Sequence, residues 1–141
     1  MTRKQIETLF TRREQALRQR DLTALTALYS ADAVVESPTA GRSVTGLEEI
    51  EEVTRAWFTG FPDVTFTTQT LVIDKDRAAW VGEVRGTDTG GFMGLAATGK
   101  PFTVPMVALC TLKDRGIVHE QRIFDFTGLL IQIGVLKTKP M

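Results

Sequence analysis

The chain has 141 residues, the size of one ordinary domain, and at that length folding buries roughly two-thirds of the unfolded surface, so a core needs no staple. Hydrophobic residues make up 43% and charged residues 24%, which argues against disorder and against a fibre. Lys and Arg number 17, as do Asp and Glu, so the chain lacks the basic footprint of a nucleic-acid binder or a membrane-surface protein.

In chain order, Arg3 to Arg20 places Ile6, Leu9, Phe10, Ala16 and Leu17 on one helical face. Asp21 reads as an N-cap, and a second helix carries Leu22, Leu25, Leu28 and Tyr29. Ala33 to Ser37 reads as a short strand, stopped by Pro38 and a loop at Gly41. Thr45 to Glu48 has the spacing of a capping box, ahead of a third helix with Leu47, Ile50, Val53, Ala56 and Trp57 at helical intervals. Gly60 and Pro62 end it.

Beyond Pro62 the apolar period changes to two. Val64 to Ile73, Ala78 to Gly86, Phe102 to Lys113 and Ile117 to Phe126 read as strands. Asp74-Lys75-Asp76 and Asp114-Arg115-Gly116 are hairpin turns, and a Gly/Thr-rich connection joins Gly86 to Pro101. Leu129 to Gly134 closes the chain with a short helical turn. Helices first and an antiparallel sheet second predict an α+β domain over residues 1–141, with the helices on one face of a curved sheet.

The chemistry-bearing residues are few. Cys110 is the only cysteine and His119 the only histidine, so an internal disulfide and ordinary zinc ligation are both excluded, and no metal or cofactor is expected. Cys110 lies in an apolar run and reads as inert packing. The first ten residues lack the apolar centre of a signal peptide, and no apolar run is long enough to span a bilayer; cytoplasmic residence is the expectation. Phosphate-loop, dinucleotide and nucleophile-elbow patterns are absent. What remains is acid–base and electrostatic chemistry from carboxylates, arginine and tyrosine.

Three stretches carry a family resemblance: Ala27 to Pro38 (ALYSADAVVESP), Gly86 to Lys100 with its Gly90-Gly91-Phe92-Met93-Gly94 and Ala97-Thr98-Gly99-Lys100, and Phe124-Asp125-Phe126-Thr127-Gly128 running to Gly134. Phe61-Pro62-Asp63 matches as well. In this order they resemble the SnoaL-like polyketide cyclases of the nuclear transport factor 2-like superfamily. The resemblance implies a cone-shaped fold, with N-terminal helices packed on a strongly curved antiparallel sheet and a deep pocket inside for a hydrophobic small molecule. It also implies carbonyl chemistry without a cofactor, such as cyclisation or isomerisation by a carboxylate acid–base. Fold alone does not settle function, because relatives also use such pockets for epoxide hydrolysis or for plain binding.

Carried over residue by residue, the resemblance departs at the reacting positions. Cyclases place a general acid–base Asp three residues before the position of Asp125; here Arg122 stands there. Ketosteroid isomerases place a proton-shuttling Asp before the proline of the first strand, where this chain has Ser37, and an oxyanion-stabilising Asp near Ala108, where cyclases tend to place a histidine. Asp88 stands where many SnoaL-like chains have His, and reads as a turn residue.

The candidate catalytic residues are therefore Arg122, Asp125 and Glu36. Arg122 shares a strand face with Glu120, either as a surface ion pair or as a buried pair gripping a carboxylate or an enolate. Asp125 either serves acid–base chemistry or accepts backbone N–H groups where the last strand enters the tail. Glu36 and Ser37 alternate, so only one of them faces inward. Tyr29, Trp57, Phe61, Met106, Cys110 and Glu120 are the candidate pocket lining. His119, Gln121 and Ile123 fall on the opposite sheet face, which is the expected contact of a homodimer. Nucleic acid and membrane are not expected partners. Catalysis and simple binding of a hydrophobic compound or organic acid both remain open.

Overall fold

The computed structural model describes residues 1–41, 43–114 and 116–138. The first helix, α1 (Arg3–Gln19), starts on a capping box: Thr2 Oγ1 accepts from Gln5 N at 3.1 Å and Gln5 Oε1 accepts from Thr2 N at 2.8 Å. Its buried stripe is Ile6, Leu9, Phe10, Arg13, Ala16 and Leu17, so an arginine sits in the middle of the apolar face. A second helix, α2 (Leu22–Thr26), is capped by Asp21, whose Oδ1 accepts from Ala24 N at 3.0 Å. It is shorter than its periodicity suggests. Tyr29 opens strand β1 (Tyr29–Glu36) instead, because its backbone pairs with Ile117.

After β1 come a short 3-10 turn at Pro38–Ala40, the two-residue strand β2 (Val44–Thr45) and helix α3 (Leu47–Gly60). The capping box read at Thr45 and Glu48 is displaced by one residue. Gly46 takes the cap position at φ +90°, and the side chain that reaches back is Glu49, whose Oε2 accepts from Thr45 N at 2.9 Å. A left-handed φ at that position suits glycine.

The rest is a meander: β3 (Thr65–Asp74), β4 (Arg77–Thr87), β5 (Pro101–Lys113) and β6 (Gly116–Phe124), then α4 (Phe126–Gln132). The Asp114–Gly116 turn includes Arg115, which lies outside the described residues. The sheet order is β2-β1-β6-β5-β4-β3. It curls without closing, since β2 and β3 at its two edges do not pair.

The fold is α+β, as the order of elements predicts, with one correction. The sheet is mixed rather than wholly antiparallel, because β1 runs parallel to β6. The chain crosses from β1 to β6 through α3 and the whole meander, a connection long enough for parallel pairing.

Register places three rows of side chains on the concave face: Ala78–Cys110–Glu120, Trp80–Ala108–Arg122 and Gly82–Met106–Phe124. Small residues stand among large ones. A Cβ on Gly82 would meet the Trp80 ring at 2.4 Å, so only glycine lets that indole lie flat along its own strand. Trp57 of α3 closes the wide end against Phe61, Phe66, Phe92, Phe102 and Phe124, with ring centroids 5.1–6.4 Å apart.

The Gly-rich connection is folded back on itself. Asp88 N donates to Lys100 O at 3.0 Å, Gly99 N donates to Asp88 O at 2.8 Å, and Asp88 Oδ2 accepts from Thr98 N and Oγ1 at 3.1 Å each. Phe92 from this loop stacks on Phe61 at 4.5 Å. Asp63 fixes the adjacent end of β4 through Thr87 N at 2.7 Å and Thr87 Oγ1 at 2.8 Å, and those bonds hold its carboxyl below the usual range.

Candidate functional site

The concave face brings four polar side chains from three elements into one buried cluster. Glu120 is fully buried. Its Oε2 accepts from Arg122 Nε at 2.5 Å and lies 3.8 Å from Arg13 Nη2, and its Oε1 accepts from the Tyr29 hydroxyl. Arg122 also reaches the Tyr29 oxygen through Nη2 at 3.5 Å. Arg122 is 6% exposed and Arg13 5%. Arg13 descends from α1 with its guanidinium over the Trp80 ring, 5.2 Å from the centroid, and its Nε is buried with no hydrogen-bond partner among the described residues.

Each group is there for a local reason. Arg122 and Glu120 are two residues apart on β6, so both face inward. Ala108 lies between Trp80 and Arg122 in the ladder, and its small side chain leaves space for the guanidinium. Tyr29 enters at the first residue of β1, where the parallel pairing starts.

The electrostatics follow from burial and charge. Burial works to raise the Glu120 pKa, but Arg122 and Arg13, with the Tyr29 hydrogen bond, carry it down to about 2. Burial alone would lower Arg122; the Glu120 carboxylate outweighs that and raises it. Tyr29 is pushed up, first by burial and then by Glu120, so its hydroxyl keeps its proton and serves as a donor. At neutral pH Glu120 is therefore a charged acceptor with both carboxylate oxygens engaged, and a poor general base. Two guanidiniums share one carboxylate, which leaves one positive charge in excess within the cluster.

Glu120, Arg122, Tyr29, Trp57, Met106 and Cys110 are all buried. Phe61 is buried within the aromatic cluster. The Cys110 thiol is pushed up, chiefly by burial, and is unreactive packing.

Glu36 and Asp125 are not part of the cluster. Glu36 lies on the outer side, where its Oε2 meets His119 Nε2 at 2.6 Å, and its neighbour Ser37 is the buried one. Alternation along β1, with Val35 inward, turns Glu36 out. Asp125 caps α4, its Oδ1 accepting from Gly128 N at 2.8 Å, because the last strand ends there and the helix needs an acceptor for its first free N–H groups. Asp88 is locked in its loop, with Oδ1 buried and without a partner among the described residues.

Sequence reading missed Arg13. The signal was present: position 13 lies three and four residues from Phe10 and Leu9, and again from Ala16 and Leu17, inside the buried stripe.

Between Arg13, Leu17, Leu25, Thr54, Trp57, Phe66, Met106 and Arg122 lies a cavity of about 20 Å³, room for little more than one water and not for an organic molecule. Among the described residues, no group of three or more His, Cys, Asp or Glu could hold a metal ion, and no helix is long and apolar enough to cross a membrane.

A curled six-stranded sheet covered by helices on one face defines the class: an α+β fold, shared with solved structures over nearly the whole chain. The family model for SnoaL-like polyketide cyclases matches residues 7–133, and the chain belongs to that family. IdmH from Streptomyces antibioticus, a candidate polyketide cyclase, is similar in structure at 29% identity, covering 91% of this chain and 97% of that one, with a TM-score of 0.78. AclR from Streptomyces galilaeus, a candidate hydroxylase, gives a TM-score of 0.84 at 22% identity over 99% of this chain and 87% of that one. TsrD from Streptomyces laurentii also gives 0.84 at 22% identity, covering 96% and 99%. These last two likenesses establish the fold. No curated protein matches the chain.

Proposed function

We propose that this protein binds a hydrophobic organic acid or an enolisable carbonyl compound through an oxygen held by Arg122. The observation that supports this is the charge of the buried cluster: Arg13 and Arg122 against the single carboxylate of Glu120. A buried, uncompensated guanidinium is costly, and an anionic oxygen offsets that cost. Arginine presents a planar fork suited to a carboxylate, and in a dry site the same fork stabilises an enolate.

Isothermal titration with paired ligands tests it. An aryl carboxylate should bind at least about tenfold more tightly than its neutral amide, and Arg122→Gln should abolish the difference. Equal affinity for the two ligands would rule the reading out.

A second reading is cyclisation or isomerisation by a carboxylate acid–base. Family membership and the likeness to IdmH favour it. None of Glu36, Asp125 and Glu120 offers it a free interior carboxylate. Turnover of a β-dicarbonyl compound that was lost in Asp125→Asn, in a variant that still folds, would restore it.

A further inference from the structure

The cavity between Arg13 and Arg122, at about 20 Å³, is too small for the ligand that the cluster's charge calls for, but a neighbouring groove has room. Beside β6 lies a groove of about 430 Å³, within the range of small-molecule sites, bounded by Ser37, Pro38, Gly41 and Ser43 on one side and by β6 from Gln121 to Phe124 on the other. Arg122 is the one residue that lines both this groove and the interior cavity. We infer that the ligand site is this groove on the flank of the sheet, and that it takes a small organic carboxylate whose acid group rests on Arg122 at its floor. The inference rests on the proposed role of Arg122 as the oxygen-holding group and adds where the ligand lies.

Three features support the placement. First, β1 ends at Glu36, paired with Gln121, whereas β6 continues to Phe124. Beyond Gln121, β6 has no strand partner on the β1 side among the described residues, so its peptide groups there face the groove. Second, among the described residues Arg122 uses Nε and Nη2 within the cluster and makes no hydrogen bond through Nη1. Third, Ser37 is buried at the groove with its hydroxyl 2.9 Å from Thr39 Oγ1, which gives a second polar partner for the ligand. Glu36, the carboxylate on the rim, is engaged by His119 at 2.6 Å. The groove between α1 and the α2–β1 junction is larger, at about 660 Å³, but none of the buried charged residues lines it.

The test is a ¹⁵N-amide NMR titration of the whole protein with 2-naphthoate and 2-naphthamide at millimolar concentration, repeated on Ser43→Trp, which fills the groove from an exposed position, and on Leu25→Ala, which enlarges the interior. Naphthoate should shift the amides of Ser37, Ser43 and Gln121 to Phe124. Ser43→Trp should weaken it at least about tenfold, and Leu25→Ala should leave it unchanged. Shifts gathered on Leu17, Leu25, Trp57 and Met106, with Ser43→Trp neutral, would overturn the groove while keeping Arg122 as the anchor. Naphthamide binding as well as naphthoate, or a folded Arg122→Gln binding undiminished, would overturn the anchor itself. No response to naphthoate would overturn both.

Discussion

Glu120 keeps its charge in the centre of the core because two guanidiniums and a phenol surround it. Its counter-ions depend on it in turn. Replacing it by Gln leaves Arg13 and Arg122 facing each other across a neutral amide, and truncating one partner of a buried pair costs about 3–5 kcal/mol. Urea denaturation of Glu120→Gln at neutral pH should read a loss of that order; an unchanged midpoint would mean the cluster contributes nothing. The same residue sets an acid limb. A carboxyl whose folded pKa lies below its unfolded value gives stability that is fully present above the unfolded value and is lost as pH falls through the folded one. Here that window runs from 4.5 down to about 2. Wild-type stability should fall across it, and Glu120→Gln should flatten that part of the curve. The signal for this cluster was partly legible: Glu120 and Arg122 share a face by simple alternation. Arg13 required reading a helical stripe in which a charged residue occupies an apolar place.

The elements are held at their ends by side chains that the family resemblance could have suggested as catalytic. Asp125 caps α4 through Gly128 N. Asp125→Ala should cost about 1 kcal/mol and loosen α4, with carboxylate binding unchanged. A thermal melt and a titration together separate the cap from a catalytic role, since loss of binding without loss of stability would contradict the assignment. The Gly-rich connection is anchored where Gly90 N donates to Gly60 O at 3.0 Å. A Cβ at Gly90 would lie 1.9 Å from Thr59 O, a backbone atom that cannot yield without moving α3. Gly90→Ala should therefore destabilise the protein by about 1–3 kcal/mol and speed hydrogen exchange at Asp88, Gly99 and Leu95, whose N–H groups are bonded within the loop. If exchange there is unchanged, the loop is not held by that approach. The register of α3 differed from its reading by one residue because a glycine at positive φ, rather than the threonine hydroxyl, turns the chain into the helix.

At the scale of the molecule, one face of the sheet is covered by helices and the other carries His119, Gln121 and Ile123. Ile123 is 47% exposed, large and apolar, at the centre of the expected homodimer contact. Sedimentation should show a dimer that Ile123→Asp shifts toward monomer; a wild-type monomer at all concentrations would remove that expectation.

The amino-acid sequence by itself determined the class. Helical periodicity before Pro62 and alternation after it put the helices on one face of a sheet, and the absence of paired cysteines and histidines removed disulfide and zinc chemistry, because these depend only on local spacing and residue type. Tertiary structure alone decided the sheet's one parallel pair, the outward turn of Glu36, the meeting of Arg13 with Glu120 across more than a hundred residues of chain, and the small size of the cavity between Arg13 and Arg122. Those outcomes depend on which distant elements come into contact and on how their side-chain volumes add up. Neither quantity is written in any local stretch of the chain.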